Sequence, residues 1–533
     1  MFRKTTRDQN APSEPILGAP STALAHAAQR RDRPQLVALN RKGQRARRSG
    51  STAATPRSRV SGRGWKRGGG GYASVVAPHP EWRGTSVQVC GLWPWASGSG
   101  VPTVGAPLGR AIDTGGPLSC DPISYFRAGL IFNPSMFVLG NPGLGKSTMI
   151  RHMILGLEGM GVHSLVLGDM RPDYVELVRA LGGQVIELGP NRGAINVLDP
   201  GESAEVAAKL TGAKRRTVLA DAHSRRVTMV TGLLTILQHD SPTVREKAII
   251  ERALRVLDDK HTGVPVLTDL LQVIRQAPEP VREMALDRGD DARYREVTDR
   301  LESSLLALTG GSELGQMFSA PTSEPIMRDR SVVFDVSSID QTKKEERAAA
   351  LLACWSAGFA MVNGAQLLAD AGIERRRHYL AVMDELWQVL DSGPGMVERV
   401  DALTRLNRKE GAGQVMITHT MSDLERMPLE EDRSKARGFV ERSDIVLLGG
   451  LSHQELDRVE KVLPLSRKER ERIVSWTSPG SYDAKTRKRT NPPGMGHFLM
   501  KMSGRPGIAG RVELTSTEKR LQLHNTSRRW IDG

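Results

Sequence analysis

Cysteine is scarce in this chain: three in 533 residues, Cys90, Cys120 and Cys354, widely separated and with no C-x-x-C. That spacing excludes a zinc ribbon and suits a reducing compartment. The twelve histidines show no metal-ligand spacing. Met1 is followed by polar and basic residues with no apolar h-region, so no secretory signal is legible. Uninterrupted hydrophobic runs are missing too. The most apolar long stretch, Leu351 to Ala371, is broken by Ser356, Asn363, Gln366 and Asp370, which predicts a buried helix and leaves only peripheral contact with a membrane. No L-S-G-G-Q-like stretch is present, which counts against a transporter-type ATPase, and no internal repeat is visible.

Acidic residues are sparse in one region. Residues 1–70 hold 16 Lys and Arg against 3 Asp and Glu, so +13 of the formal net charge of +15 sits there and the other 463 residues carry +2. A basic total invites the inference of nucleic-acid binding, but here that inference attaches to a tail and not to the body. With Arg41-Lys42, Arg45, Arg47-Arg48, Gly68 to Gly71 and few large apolar residues, 1–71 reads as a disordered tail. It is either a solvated leader or a segment drawn to DNA or an anionic membrane leaflet.

What is present is a phosphate-cradling loop. Gly140-Asn141-Pro142-Gly143-Leu144-Gly145-Lys146-Ser147 reads G-x-x-x-x-G-K-S and is followed by Thr148. Its glycines let successive N–H groups turn round a triphosphate, Lys146 reaches the outer phosphates, and the Ser147 hydroxyl can ligate magnesium. Met136-Phe137-Val138-Leu139 before it suits a buried strand, and Met149, Ile150, Met153, Ile154 and Leu157 after it recur at helical spacing. Strand, loop, helix is the order this mechanism needs. No Ser/His/Asp or paired-carboxylate constellation competes with it.

The length prior gives two to four domains, read here as one large catalytic domain with appendages. Residues 72–134 are rich in Gly, Pro and Ser and predict loops and short hairpins leading into the core. The first part of the core, 135–200, adds strands at Ser164 to Leu167 and Gln184 to Leu188 with a helix from Asp173 to Leu181 between them. That alternation implies a parallel sheet. Over 201–330 helical periodicity replaces it, as in Val227, Val230, Leu233, Leu234 and Leu237, predicting an all-helical insertion. The sheet resumes over 331–515, with strands at Ser331 to Val336, Tyr379 to Met383, Gln414 to Thr418 and Asp444 to Leu448. Helices are predicted over Lys344 to Leu368 and Gly395 to Lys409, and a hairpin from His497 to Lys501 and Arg511 to Leu514. Residues 516–533 read as a C-terminal tail. The fold class is α/β, a P-loop NTPase with a mostly parallel sheet.

The strand Tyr379 to Met383 delivers Asp384-Glu385 to the sheet's C-terminal edge, where ligands bind in such sheets. Asp384 can hold magnesium and Glu385 can orient and activate the attacking water; an acidic pair favouring a helix N-terminus is the plainer alternative. The next strand ends at Thr418-His419, beside the expected γ-phosphate, which makes His419 either a sensor or an ordinary strand-end histidine. Arg405 and Arg408 share a face of a helix that Gly411 should end. Arg408 is either an arginine finger for a neighbouring subunit or part of a solvated basic face.

Taken in order, Val101 to Gly109, the P-loop, Asp169 with Asp173-Tyr174, Leu181-Gly182-Gly183, Ile195 to Pro200, Asp384-Glu385-Leu386-Trp387, Arg408-Lys409 and Thr418-His419 resemble the FtsK–HerA superfamily. Within it the chain most resembles the conjugative type IV secretion ATPases, in an actinobacterial-looking form, over about residues 82–515. The resemblance implies a RecA-like core, a ring that is usually a hexamer, ATP and Mg2+ as cofactors, and hydrolysis at subunit interfaces. It also implies membrane channel proteins as partners, DNA as a further candidate, and a cytoplasmic place at the base of an export channel. Carried over by position, Lys146 and Ser147 bind phosphate and metal, Asp384 and Glu385 form the Walker B pair, and Arg408 acts in trans. Two features depart from the family: His419 stands where Gln is usual, and a short basic tail replaces a folded N-terminal docking domain. The expected function is a motor of the conjugation or secretion apparatus, with a DNA-pumping translocase or a barely hydrolysing structural subunit as alternatives. Lys214, Arg215, Arg216, Arg225 and Arg226 keep a DNA grip in view.

Overall fold

The computed structural model describes residues 101–524, apart from 393–394, 405–410, 428, 484–487 and 503. The expected basic tail at 1–71, the first part of the 72–134 segment, and Arg405, Arg408 and Lys409 lie outside the described residues.

The strands are β1 (Pro107–Ala111), β2 (Pro117–Ser119), β3 (Ser135–Leu139), β4 (Val162–Asp169), β5 (Gln184–Glu187), β6 (Val332–Asp335) and β7 (His378–Met383). They continue with β8 (Ala412–Thr418), β9 (Ile445–Leu448), β10 (Tyr482–Asp483), β11 (Lys488–Arg489), β12 (His497–Met502) and β13 (Ile508–Val512). β10 and β11 form a separate ribbon. The others make one eleven-stranded sheet in the order β2-β1-β13-β12-β9-β3-β8-β7-β4-β6-β5. From β9 to β5 every neighbouring pair is parallel, as the alternation of strands and helices predicts. β12, β13, β1 and β2 extend the sheet antiparallel, with β12 joined to β9.

Both faces of the parallel part are covered, which is why its strands are continuous apolar runs. Side chains alternate across it. Met136 and Val138 of β3 point into the cluster built on Met149, Ile150, Met153 and Ile154, whereas Phe137 and Leu139 join the cluster that holds the helix Lys344–Asp370. The same split separates Leu380 and Val382 from Tyr379, Ala381 and Met383 in β7.

The helix Lys344–Asp370 is long and apolar enough to cross a membrane by composition, but 83% of its most apolar window is buried inside the fold. It lies tightly on β4. The Trp355 indole is fully buried and donates to the Leu167 carbonyl at 2.7 Å. A Cβ added at Gly358 would come within 2.3 Å of Leu167 Cδ2, so the Leu167 side chain occupies the space that glycine leaves on the helix.

Seven helices occupy the described part of 201–330, from Glu202–Lys209 to Glu313–Phe318, with no strand among them. Two regions differ from the sequence reading. The 72–134 segment does more than lead into the core: β1 pairs with β13 and so belongs to the main sheet, and Asp121 caps an unexpected helix, Pro122–Arg127. Residues 516–524 do not trail away, because Ser516–Leu521 is a helix with a Thr515/Glu518 capping box, and Glu518 is 1% exposed. Polar caps carry that helix where periodic apolar residues are lacking.

Candidate nucleotide site

The order β9-β3-β8-β7 sets three loops side by side at the C-terminal ends of the strands: the P-loop after β3, Thr418-His419 at the end of β8, and Asp384-Glu385 after β7. The P-loop is held from both flanks. Gly140 N–H donates to the His419 carbonyl at 3.2 Å, Asn141 N–H to the Gly450 carbonyl at 2.9 Å, and the Leu144 carbonyl accepts from Gly496 N–H at 2.9 Å. Gly143 and Gly145 take left-handed φ of 79° and 93°, and Gly145 opens the helix Lys146–Glu158, whose free N–H groups face the loop.

Pro142, Gly143, Gly145, Lys146, Ser147 and Thr148 line a cavity of about 1100 Å³ together with Asp169, Asp173, Asp384, Glu385 and His419. Gly140, Asn141 and Leu144 shape the loop from behind. Lys146 Nζ donates to the Gly140 and Asn141 carbonyls and lies 3.1 Å from His419 Nδ1. His419 Nε2 is 3.3 Å from Glu385 Oε1, and the Trp387 indole N–H donates to Glu385 Oε2 at 2.7 Å. Ser147, Asp384, Glu385 and His419 therefore converge on one cavity. Arg408 lies outside the described residues, and Gly411 beyond it takes a left-handed φ of 66°.

Removal from water dominates the charges. Loss of hydration pushes the Asp384 carboxyl up to about 6, aided by the adjacent Glu385 and opposed by Lys146. It pushes Asp169 up to about 7, although Asp169 accepts from the Asp173 and Tyr174 N–H groups. Lys146 is lowered to about 8 by burial, which the carboxylates only partly offset. Glu385 goes the other way: burial would raise it, but the His419 and Trp387 hydrogen bonds bring it down to about 2. It is thus ionised throughout the neutral range.

Among the described residues no group of three or more His, Cys, Asp or Glu could hold a metal by itself. Ser147 with Asp384 suits a cation that takes its remaining ligands from phosphate oxygens and water, and the raised Asp384 carboxyl is a group whose ionic form a cation would favour. The buried Thr418 hydroxyl, 1% exposed, has no hydrogen-bond partner at the strand end where the γ-phosphate is expected. These residues fit a magnesium nucleotide.

Several contributors were not legible in sequence. Arg151 is buried and ties the site together, donating to the Ser147, Asp173 and Leu523 carbonyls. Tyr174, quoted in the sequence pattern without a role, donates from Oη to Asp384 Oδ2 at 3.2 Å. Lys519 and His524 line the cavity because Glu518 bridges His152, at 2.7 Å, and His524, at 2.9 Å. No pattern near the P-loop could have pointed to residues so far along the chain. A second cavity, about 780 Å³ between helices Gly212–Gln238 and Lys344–Asp370 and the edge strands, contains no part of the P-loop.

No protein-family model matches the chain, and no curated protein matches it. Among solved structures it is similar to VirB4 of Thermoanaerobacter pseudethanolicus, with a TM-score of 0.58 and 20% identity over 80% of this chain and 100% of that one. The likeness is one of fold, a RecA-like P-loop core. Lesser similarities are to the plasmid coupling protein TrwB in complex with ADP and Mg2+ and to the cytoplasmic domain of a type VII secretion ATPase. TrwB aligns at a TM-score of 0.43 and 13% identity, over 72% of this chain and 85% of that one. The type VII ATPase, EccC of Thermomonospora curvata, aligns at 0.27 and 12%, over 79% and 30%.

The P-loop geometry carries a pH signature. Lys146 sits near 8 because burial outweighs the neighbouring carboxylates, and triphosphate would raise it. ATP binding at about pH 8.5 should therefore take up a fraction of a proton per site, and the uptake should vanish below about pH 7, where Lys146 is already charged. At the higher pH Asp384 is ionised and contributes nothing. Titration calorimetry in buffers of different ionisation enthalpy measures this. Equal apparent enthalpies at pH 8.5 would rule out the lowered lysine.

Proposed function

We propose that this chain is an ATP-hydrolysing, ring-forming motor of the FtsK–HerA type, serving a conjugative or type IV secretion apparatus from the cytoplasmic side. The observation that carries the reading is the convergence of Ser147, Asp384, Glu385 and His419 on one cavity at neighbouring strand ends. The sequence resemblance to conjugative ATPases and the VirB4-like fold point to the same apparatus.

In this reading the N-terminus of the helix Lys146–Glu158 and the loop amides receive the phosphates, and Lys146 leaves the Gly140 and Asn141 carbonyls to meet them. Ser147 and Asp384 hold magnesium, which when bound neutralises phosphate charge. Glu385, kept ionised by two donors, accepts a proton from the attacking water. His419, between Lys146 and Glu385, touches both the phosphate-binding and the water-activating group, as a sensor of the γ-phosphate must. Arg408 remains the proposed trans-acting residue of an adjacent subunit. The assembly is a homo-oligomer, with six subunits the expected number, docked on membrane channel proteins.

The alternative, a translocase that grips DNA, draws on basic residues of the helical region. Only part of that set is displayed. Lys214, Arg215 and Arg216 are exposed, whereas Arg226 is 7% exposed and bonded through both terminal nitrogens to Asp258. Arg225 donates to Ser203 Oγ. We therefore favour the secretion motor. Magnesium-dependent ATPase activity per chain should rise with protein concentration as rings form, and double-stranded DNA should stimulate it less than about threefold. Stimulation of tenfold or more would transfer the assignment to the translocase, and no turnover under either condition would make the chain a structural subunit.

A further inference from the structure

Glu385 is held from several directions in the cavity. Its backbone takes a left-handed φ of 53°, a region that residues other than glycine rarely occupy. Its N–H donates to Asp384 Oδ1 at 2.9 Å, and each carboxylate oxygen has its own donor, His419 on one side and Trp387 on the other. Across this left-handed turn Trp387, two residues on, meets the Glu385 side chain.

Trp387 is held in turn. The Arg426 guanidinium lies 5.3 Å from the centre of its ring, and Arg426 pairs with Asp423 at 3.4 Å. Asp423 accepts from Thr420 N–H, the residue immediately after His419, in a capping box that opens the helix Met421–Leu424. One short segment, His419 to Arg426, therefore fixes both donors of Glu385: it contains one and clamps the other.

We propose that Trp387 is the positioning residue for the water-activating carboxylate, and that it and His419 form a two-point clamp carried by the segment His419 to Arg426. The inference rests on the reading of Glu385 as the group that accepts the water's proton. The indole N–H fixes the carboxylate plane and Arg426 fixes the indole. A displacement of this segment would loosen Glu385 from both sides at once.

The test is Trp387→Phe in the full chain, which keeps the ring under Arg426 and removes the donor. Its kcat should fall about 10- to 100-fold, the loss expected for a hydrogen bond to a charged group, while the Kd for ATP stays within about twofold. In the Glu385→Gln background the same change should cost nothing further, because a residue acting only through Glu385 has nothing left to act on. A readout independent of turnover is the indole N–H proton resonance that disappears in Trp387→Phe. In nucleotide-free protein it should lie downfield and move upfield in Glu385→Gln as the charged acceptor is lost. Parental kcat in Trp387→Phe, or an equal loss on top of Glu385→Gln, would overturn the clamp while leaving the motor assignment standing. Full activity of Glu385→Gln would instead overturn the assignment of Glu385 itself.

Discussion

Glu385→Gln is expected to bind ATP as tightly as the parent and to hydrolyse it about 10²- to 10⁴-fold more slowly, the range for removing a positioned general base. The substitution preserves shape and length. Its amide can still accept from Trp387 Nε1 or His419, so the loop geometry should survive. What it loses is the charge that takes up the proton. Lys146, Ser147 and the loop amides lie on the P-loop and its helix, so affinity should be spared. Equilibrium binding of a labelled ATP analogue and single-turnover hydrolysis separate the two quantities. Comparable kcat in the variant and the parent would remove Glu385 from the reaction.

The largest effect on the fold is expected at Trp355. Replacing it with alanine empties the space between the helix Lys344–Asp370 and β4 and orphans the Leu167 carbonyl. Loss of a fully buried tryptophan costs about 3–5 kcal/mol, with the unsatisfied carbonyl contributing to the upper part of that range. Because β4 ends at Asp169, which receives the Tyr174 N–H, the damage should reach the nucleotide cavity. Trp355→Phe should recover most of the packing but not the hydrogen bond. Denaturant midpoints for the parent and both variants measure the series. An unchanged midpoint for Trp355→Ala would mean that this helix does not lie on β4.

The features that could be read in the sequence are those written into short stretches of chain. The P-loop announces itself through glycine, lysine and serine at fixed offsets, and the strands β3, β7, β8 and β9 through apolar runs buried on both faces. Asp384-Glu385 was legible because it ends such a run. The contacts that Trp387 and His419 make with Glu385 were not. Trp387 meets its carboxylate across a left-handed backbone at Glu385 that nothing in its side chain announces. Residues 516–524 read as part of a tail because a six-residue helix fixed by polar caps has no hydrophobic period. Nor did adjacent arginines reveal their fates: successive residues on a helix are about 100° apart, so Arg226 turns inward to Asp258 while Arg225 reaches Ser203.

Burial has silenced both thiols among the described residues. Cys120 and Cys354 are both fully enclosed, and loss of hydration pushes each thiol well above its usual range, so neither presents a thiolate to a maleimide. Once Cys90 is changed to serine, a single cysteine introduced at Lys519, on the wall of the cavity, would accept a fluorophore alone and turn that wall into an optical gauge of occupancy.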